Sequence, residues 1–281
     1  YVAELNVADD ALDLSGWVTL DNRSGATYTN ARLQLVAGDV HQAPVASDQS
    51  GGLRRELAMK TMAPSPMPAQ EEMFEYHLYT LPRPTTIADN QSKQVALLQA
   101  AAVPCSKKFI LEGSSYYYRR PYAETEAKLK VGVFVEIENR KASHLGLPLP
   151  KGVIRVYKED SHRSLQFVGE DRIDHTPENE TVKLKLGEAF DLTARRRQTD
   201  FSKVAGDGRY NYIYEAAFQL TLKNAKDEAV TVQVLEPVPG DWEMLRESLP
   251  HARENSNLVS WQVPVAAKGE TALSYRVLVK F

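Results

Sequence analysis

Alternation of apolar and polar residues at period two runs through most of the chain and restricts its fold more than any other feature. A strand projects successive side chains to opposite faces, so this pattern buries one face of a sheet, whereas a helix with 3.6 residues per turn cannot use it. The clearest runs are AKLKVGVFVEIENR (127 to 140), KGVIRVYKED (151 to 160), SLQFVGED (164 to 171) and TVKLKLGEAFDLTARRRQTDF (181 to 201). YNYIYEAAFQLTLKN (210 to 224), AVTVQVLEP (229 to 237), LVSWQVPV (258 to 265) and TALSYRVLVKF (271 to 281) continue the pattern. Turn residues separate these runs, which together predict an all-β fold, an antiparallel β-sandwich of immunoglobulin-like type over residues 124 to 281. Only EMLRESLPHAREN (243 to 255) suggests helix, a turn or two ended near Pro250.

Residues 1 to 123 read as a second, less regular β-rich portion. ALDLSGWVTLDN (11 to 22) is a strand with a bulge near Gly16, and ARLQLVAGDV, after the turn NRSGATYTN, is expected to complete a hairpin with it. MFEYHLYTL (73 to 81), KQVALLQA (93 to 100), KKFILEG (107 to 113) and SSYYYRRPY (114 to 122) are further strand-length runs. Between them, residues 42 to 70 are rich in Ala, Pro, Ser and Gln, with Pro64, Pro66 and Pro68 alternating. Such a segment buries too little apolar surface to offset its ordering entropy, and it is expected to be a mobile loop or linker.

Composition removes several classes of function. Lys and Arg number 34 against 37 Asp and Glu, a net charge of −3, and the charges are interspersed, so no electrostatic attraction to nucleic acid or to an anionic membrane is expected. The longest weakly polar run, VALLQAAAVPC (95 to 105), falls short of the roughly 20 apolar residues of a membrane span. Cys105, the single cysteine, excludes an intrachain disulfide and a cysteine-based zinc site. The opening YVAELNV has no initiator Met and no leader pattern, and it reads as a fragment or mature form that lacks an upstream region.

The densest collection of reactive side chains is GEDRIDHTPENETVKLKLG (169 to 187), with Glu170, Asp171, Asp174, His175, Glu178 and Glu180. Asp171, Asp174 and His175 supply nitrogen and oxygen ligand types for zinc, or carboxylates for calcium. No HExxH spacing accompanies them, however, and the EF-hand spacing is absent. The plainer reading is an exposed, Pro177-stiffened turn between two strands, and no metal or cofactor is expected. Tyr116, Tyr117, Tyr118, Arg119, Arg120 and Tyr122 could stack on sugars or peptides, with Tyr117 and Arg119 as candidate binding residues. On a strand, half of these tyrosines would instead face the core. In RRRQTDF (195 to 201), Arg196 is expected to pair with the nearby Asp200 or Glu188. No nucleophile elbow or phosphate-cradling glycine loop occurs, so nothing points to an enzyme.

The segments YVAELN, GWVTLDNRSGATYTNARLQLVAGDV, FEYHLYTLPRPTTIADNQSKQV, VYKEDSHRSLQFVGEDRIDHTPENETVKLKLGEAFDL, RRRQTDF, NAKDEAVTVQV and GDWEM together resemble the bacterial family called domain of unknown function 4139. More distantly, they resemble the C-terminal domains of mucoidy-inhibitor-like proteins. The resemblance implies a β-rich protein exported to the periplasm or beyond, with a further N-terminal region and no assigned catalytic residues or cofactor. The expected function is therefore a non-enzymatic binding or structural module of the bacterial envelope, with an envelope protein or glycan as partner. The alternatives are a metal-dependent hydrolase using the 170 to 178 cluster, and a subunit of an obligate envelope assembly with edge strands completed by a partner.

Overall fold

The computed structural model describes residues 1–37, 69–73, 76–81, 83–121, 127–205 and 208–281. The expected mobile loop at 42 to 70 lies, up to residue 68, outside the described residues, as do Phe74 and Tyr122. The chain is all-β. Its strands are β1 (Val2–Leu5), β2 (Ala11–Asn22), β3 (Tyr28–Ala31), β4 (Gln34–Ala37), β5 (Ala69–Met73) and β6 (Tyr76–Thr80). There follow β7 (Thr85–Ile87), β8 (Gln91–Glu112), β9 (Ala127–Glu138), β10 (Gly152–Glu159), β11 (Leu165–Ile173) and β12 (Thr181–Val204). The last are β13 (Ile213–Asn224), β14 (Val230–Pro237), β15 (Asp241–Glu247), β16 (Ala252–Asn255), β17 (Leu258–Val265) and β18 (Glu270–Lys280).

The chain forms two compact units, and these are not the sequential halves 1–123 and 124–281. Unit 1 comprises residues 1–104, 138–165 and 172–182, and unit 2 comprises 105–137, 166–171 and 183–281. Strands β8 and β12, of 22 and 24 residues, each contribute to both units. Because each runs as one strand across the division, no turn or linker marks a boundary there.

In unit 1, β1 pairs in parallel with β10 and antiparallel with β2, and β2 pairs with the first part of β8. The register of β2 shifts between Gly16 and Trp17, where the bulge is expected. The expected hairpin does not form: β3 pairs with β7, and β4 joins β6. Asn22 explains the detour. Its Nδ2 donates to the carbonyls of Ala26 at 2.8 Å and Ala88 at 3.0 Å, which directs the chain after β2 toward the β7–β8 connection.

Unit 2 is two sheet layers packed face to face. One layer carries β12, β13, β18 and β15 in antiparallel order, and the other carries β14, β17 and β16. Phe218, Leu220, Leu273 and Val277 from the first share a buried cluster with Val232, Val234, Val259 and Val263 from the second. Trp261, fully buried on β17, stacks on Tyr275 of β18 with ring centroids 4.8 Å apart. The pairing is not wholly antiparallel, since β14 runs parallel to β8 with Val232 opposite Phe109. About 120 residues separate these two strands in sequence, ample for the crossover that a parallel pair requires.

Two local expectations are overturned. Residues 243 to 255 hold strands β15 and β16, not helix: Trp242 and Met244 point to the core from alternate positions, and Pro250 sits between the strands. SSYYYRRPY is not a strand, because Ser115–Tyr118 form one 3-10 turn.

Candidate functional site

The acidic stretch divides between the two units. Asp171, in unit 2, accepts a hydrogen bond at Oδ2 from the Lys185 backbone N–H at 2.7 Å, fixing β11 against β12. Asp174 and His175 lie in unit 1. Asp174 is exposed, and its carbonyl accepts from the Thr176 hydroxyl at 2.9 Å. His175 accepts at Nδ1 from the Lys151 backbone N–H at 3.3 Å, which leaves the proton on Nε2, an atom buried without a hydrogen-bond partner among the described residues. Thr176 bridges to Leu149 through both backbone groups at 2.8 and 2.9 Å, and Glu178 pairs with Lys141 at 3.6 Å.

Asn139 closes this turn from beneath. Fully buried, it donates to the carbonyls of Leu147 (2.7 Å) and Pro177 (2.8 Å) and accepts from the N–H groups of Gly146 and Leu147. All the capacity of one amide is thereby used to hold two loops together. Among the described residues no group of three or more His, Cys, Asp or Glu side chains is placed to hold a metal ion. The geometry of the stretch is that of a fastened turn.

Tyr117 and Arg119, adjacent in sequence, lead to two different environments. Tyr117 is buried and its ring covers the guanidinium of Arg196 at 4.2 Å, with Phe218 5.5 Å away. Arg196 is itself 3% exposed, and it does not pair with Asp200 or Glu188, as sequence proximity suggests. Those acids serve Arg276 (2.9 Å) and Lys130 (2.5 Å). Its partner is Glu236 of β14, fully buried and bonded to Arg196 Nη2. Arg196 Nη1 donates to the Tyr275 hydroxyl at 3.3 Å, Tyr275 to the Tyr118 hydroxyl at 2.9 Å, and Tyr118 to Glu236 Oε2 at 3.0 Å. The four side chains thus close a hydrogen-bonded ring in which each hydroxyl both gives and accepts. Gly113 makes room for it, since a Cβ there would lie 2.2 Å from a carboxylate oxygen of Glu236.

Burial drives the Tyr118 hydroxyl well above the usual tyrosine range and raises that of Tyr275, the nearby Arg196 opposing the rise in both. In unit 1, burial likewise pushes Tyr79 up to about 12. A tyrosine that stays protonated in the fold but ionises near pH 10 when unfolded makes the unfolded chain the one that releases protons first. Stability from these groups is therefore complete below about pH 10 and falls as pH rises beyond it. Tyrosinate absorbance is expected to lag the model-compound curve and to rise together with loss of the fold; a normal titration of all tyrosines in the folded protein would contradict this.

The ring also positions what lies beyond it. Tyr118 anchors the 3-10 turn, and the next residue, Arg119, places its guanidinium over the ring of Phe281 at 5.3 Å. Phe281 meets Tyr214 edge to face at 6.1 Å, Tyr214 lies parallel to Tyr212 within 3° at 6.2 Å, and Phe201 flanks Tyr214 at 5.3 Å. At the far end the Lys203 ammonium stands over Tyr212 at 5.1 Å. This end of unit 2 therefore carries a row of aromatic rings with a cation at each end. Tyr212 is 51% exposed, and Lys203 and Arg119 are exposed. Among the described residues, neither cation has an ion pair, and the hydroxyls of Tyr212 and Tyr214 have no hydrogen bond.

Of the row, only Arg119 is a sequence-predicted site residue. Phe201, Lys203, Tyr212, Tyr214 and Phe281 were missed, although one signal was present: the tyrosines of YNYIYE alternate, which places Tyr212 and Tyr214 on one face. A second feature, an open depression of about 580 Å³ on the outer face of β13, β18 and β15, is lined by Gln219, Arg246, Ser248, Ser274 and Arg276. Its Arg276 is already neutralised by Asp200 and Glu215. Comparisons with protein-family profiles, curated proteins and solved structures each give no match to this chain.

Proposed function

We propose that the chain is a non-enzymatic binding module of the bacterial envelope whose ligand is a glycan held on the aromatic row of unit 2. The observation that supports this reading is the row itself. Rings supply apolar faces for the C–H faces of a sugar, and the Tyr212 and Tyr214 hydroxyls supply hydrogen-bonding groups with no partner among the described residues. The rings stand on the ends of β12, β13 and β18, and a rigid sheet holds such a surface with little ordering cost on binding. Placement in the envelope rests on the resemblance to exported proteins, and fractionation of cells producing the full-length protein tests it, recovery in the cytoplasm being the contrary result.

Affinity electrophoresis against a panel of neutral and acidic polysaccharides tests the ligand. Retardation by at least one polymer is expected, and Tyr212→Ala is expected to weaken it by about five- to tenfold or more, a stacking contact being worth roughly 0.5–1.5 kcal/mol beyond area burial. Tyr212 is half exposed, so the variant should keep its thermal midpoint. Absence of retardation by every polymer, or an unchanged Tyr212→Ala, would overturn the reading.

A further inference from the structure

Resting on the glycan reading, we infer that the row selects anionic sugars over neutral ones. The cations are placed at its two ends, Lys203 over Tyr212 and Arg119 over Phe281. Neither is consumed by an acidic side chain among the described residues, in contrast to Arg276 and Lys158, each held by a carboxylate. A neutral sugar would satisfy the rings and hydroxyls and leave both charges unanswered. A sugar bearing a carboxylate or phosphate answers all three features at once, with the Arg119 fork suited to two oxygens of one anionic group.

The same arrangement disfavours nucleic acid. A single strand requires a positive groove that follows its backbone, charge after charge. Here the cations stand at the two ends of the rings instead of lining them. An acidic glycan, whose anionic groups are separated by the uncharged faces of its sugar rings, fits two cations separated by apolar surface.

The test compares polygalacturonate with the same polymer methyl-esterified, so that the backbone is constant and only the charge differs, with oligo-dT as the third arm and the whole chain as the binder. Polygalacturonate is expected to bind about tenfold more tightly at 0.01 M salt, the gain of two exposed ion pairs. The preference should shrink at 0.15 M, where the screening length falls from about 30 to about 8 Å. The double variant Lys203→Gln with Arg119→Gln should lose the preference and bind the two polymers equally, and its thermal midpoint should not move. Equal binding of the two polymers, or a preference retained by the double variant, overturns the charge selection and leaves the glycan reading standing. Failure of polygalacturonate to bind while a neutral polymer of the panel is retarded overturns the charge selection alone, failure of every polymer overturns both readings, and displacement of polygalacturonate by oligo-dT would show a nucleic-acid surface instead.

Discussion

Arg196→Leu is expected to lower the unfolding free energy by about 3–5 kcal/mol, because it strands the Glu236 carboxylate in a fully buried position with its main counter-charge gone. The loss spreads through the ring. Tyr275 loses a donor at its hydroxyl, Tyr117 loses the guanidinium against its ring, and Tyr118 alone remains bonded to the acid. Glu236→Leu should cost a similar amount from the other side, leaving an uncompensated guanidinium beneath Tyr117 and Phe218. The pair is less costly to replace than to break, since a buried ion pair gains by Coulomb attraction roughly what it loses in desolvation. The double variant Arg196→Met with Glu236→Leu is therefore expected to recover most of the loss. Urea denaturation followed by tryptophan fluorescence checks all three variants, since Trp242 and Trp261 both lie in unit 2. If either single variant lost less than about 1 kcal/mol, the ring would not be the ionised network described.

Trp261→Ala is the other large effect, about 3–5 kcal/mol. The indole is fully buried between the two layers, stacked on Tyr275, and its Nε1 donates to Glu247 Oε2 at 3.0 Å. Its removal opens a cavity that β17 and β18 cannot close without moving a paired strand, so the loss should lie toward the upper end of that range. Trp261→Phe keeps most of the apolar contact and forfeits the Glu247 bond, and it should cost less than half as much. Among the described residues, Glu247 would then accept only from His251, at 2.9 Å. Comparable losses for the two variants, measured in the same urea titration, would show that the hydrogen bond dominates the packing.

Strand content was legible because alternation reports directly on which face a residue presents, and the long runs around Leu220, Val234 and Val277 became core strands. Partnership was not legible. Nothing local to Val232 announces that it lies beside Phe109, or that Arg196 meets an acid 40 positions away and passes over Asp200 at four. Pairings of that range are decided by how whole layers fit, and the short spacing from Arg196 to Asp200 misled because the register of β12 shifts between Gln198 and Asp200. The Tyr116 to Tyr118 run failed for a related reason. Alternation was assumed for residues that make a 3-10 turn, in which Tyr117 and Tyr118 are both buried and Tyr116 is 49% exposed. Of the two proposed site groups, the acidic one shared its composition with metal centres but is occupied in closing a turn. Arg119 was found through its neighbours in sequence, and the rings it serves come from the ends of distant strands.

The interleaving of the two units constrains how the protein is made. Unit 1 takes residues from the first 104 positions and then none until 138, and it is complete only at 182. At about 5–20 residues per second, the nascent chain waits roughly 4–16 s between position 104 and position 182. Until β10 has emerged at residue 159, β1 lacks its parallel partner, and the edge it presents is open to any extended chain nearby. Unit 2 waits longer still, because β18 is the last strand to emerge. Unit 1 is not complete until residue 182, and a cut between 139 and 151 would part β10 from the rest of unit 1 and β9 from the rest of unit 2.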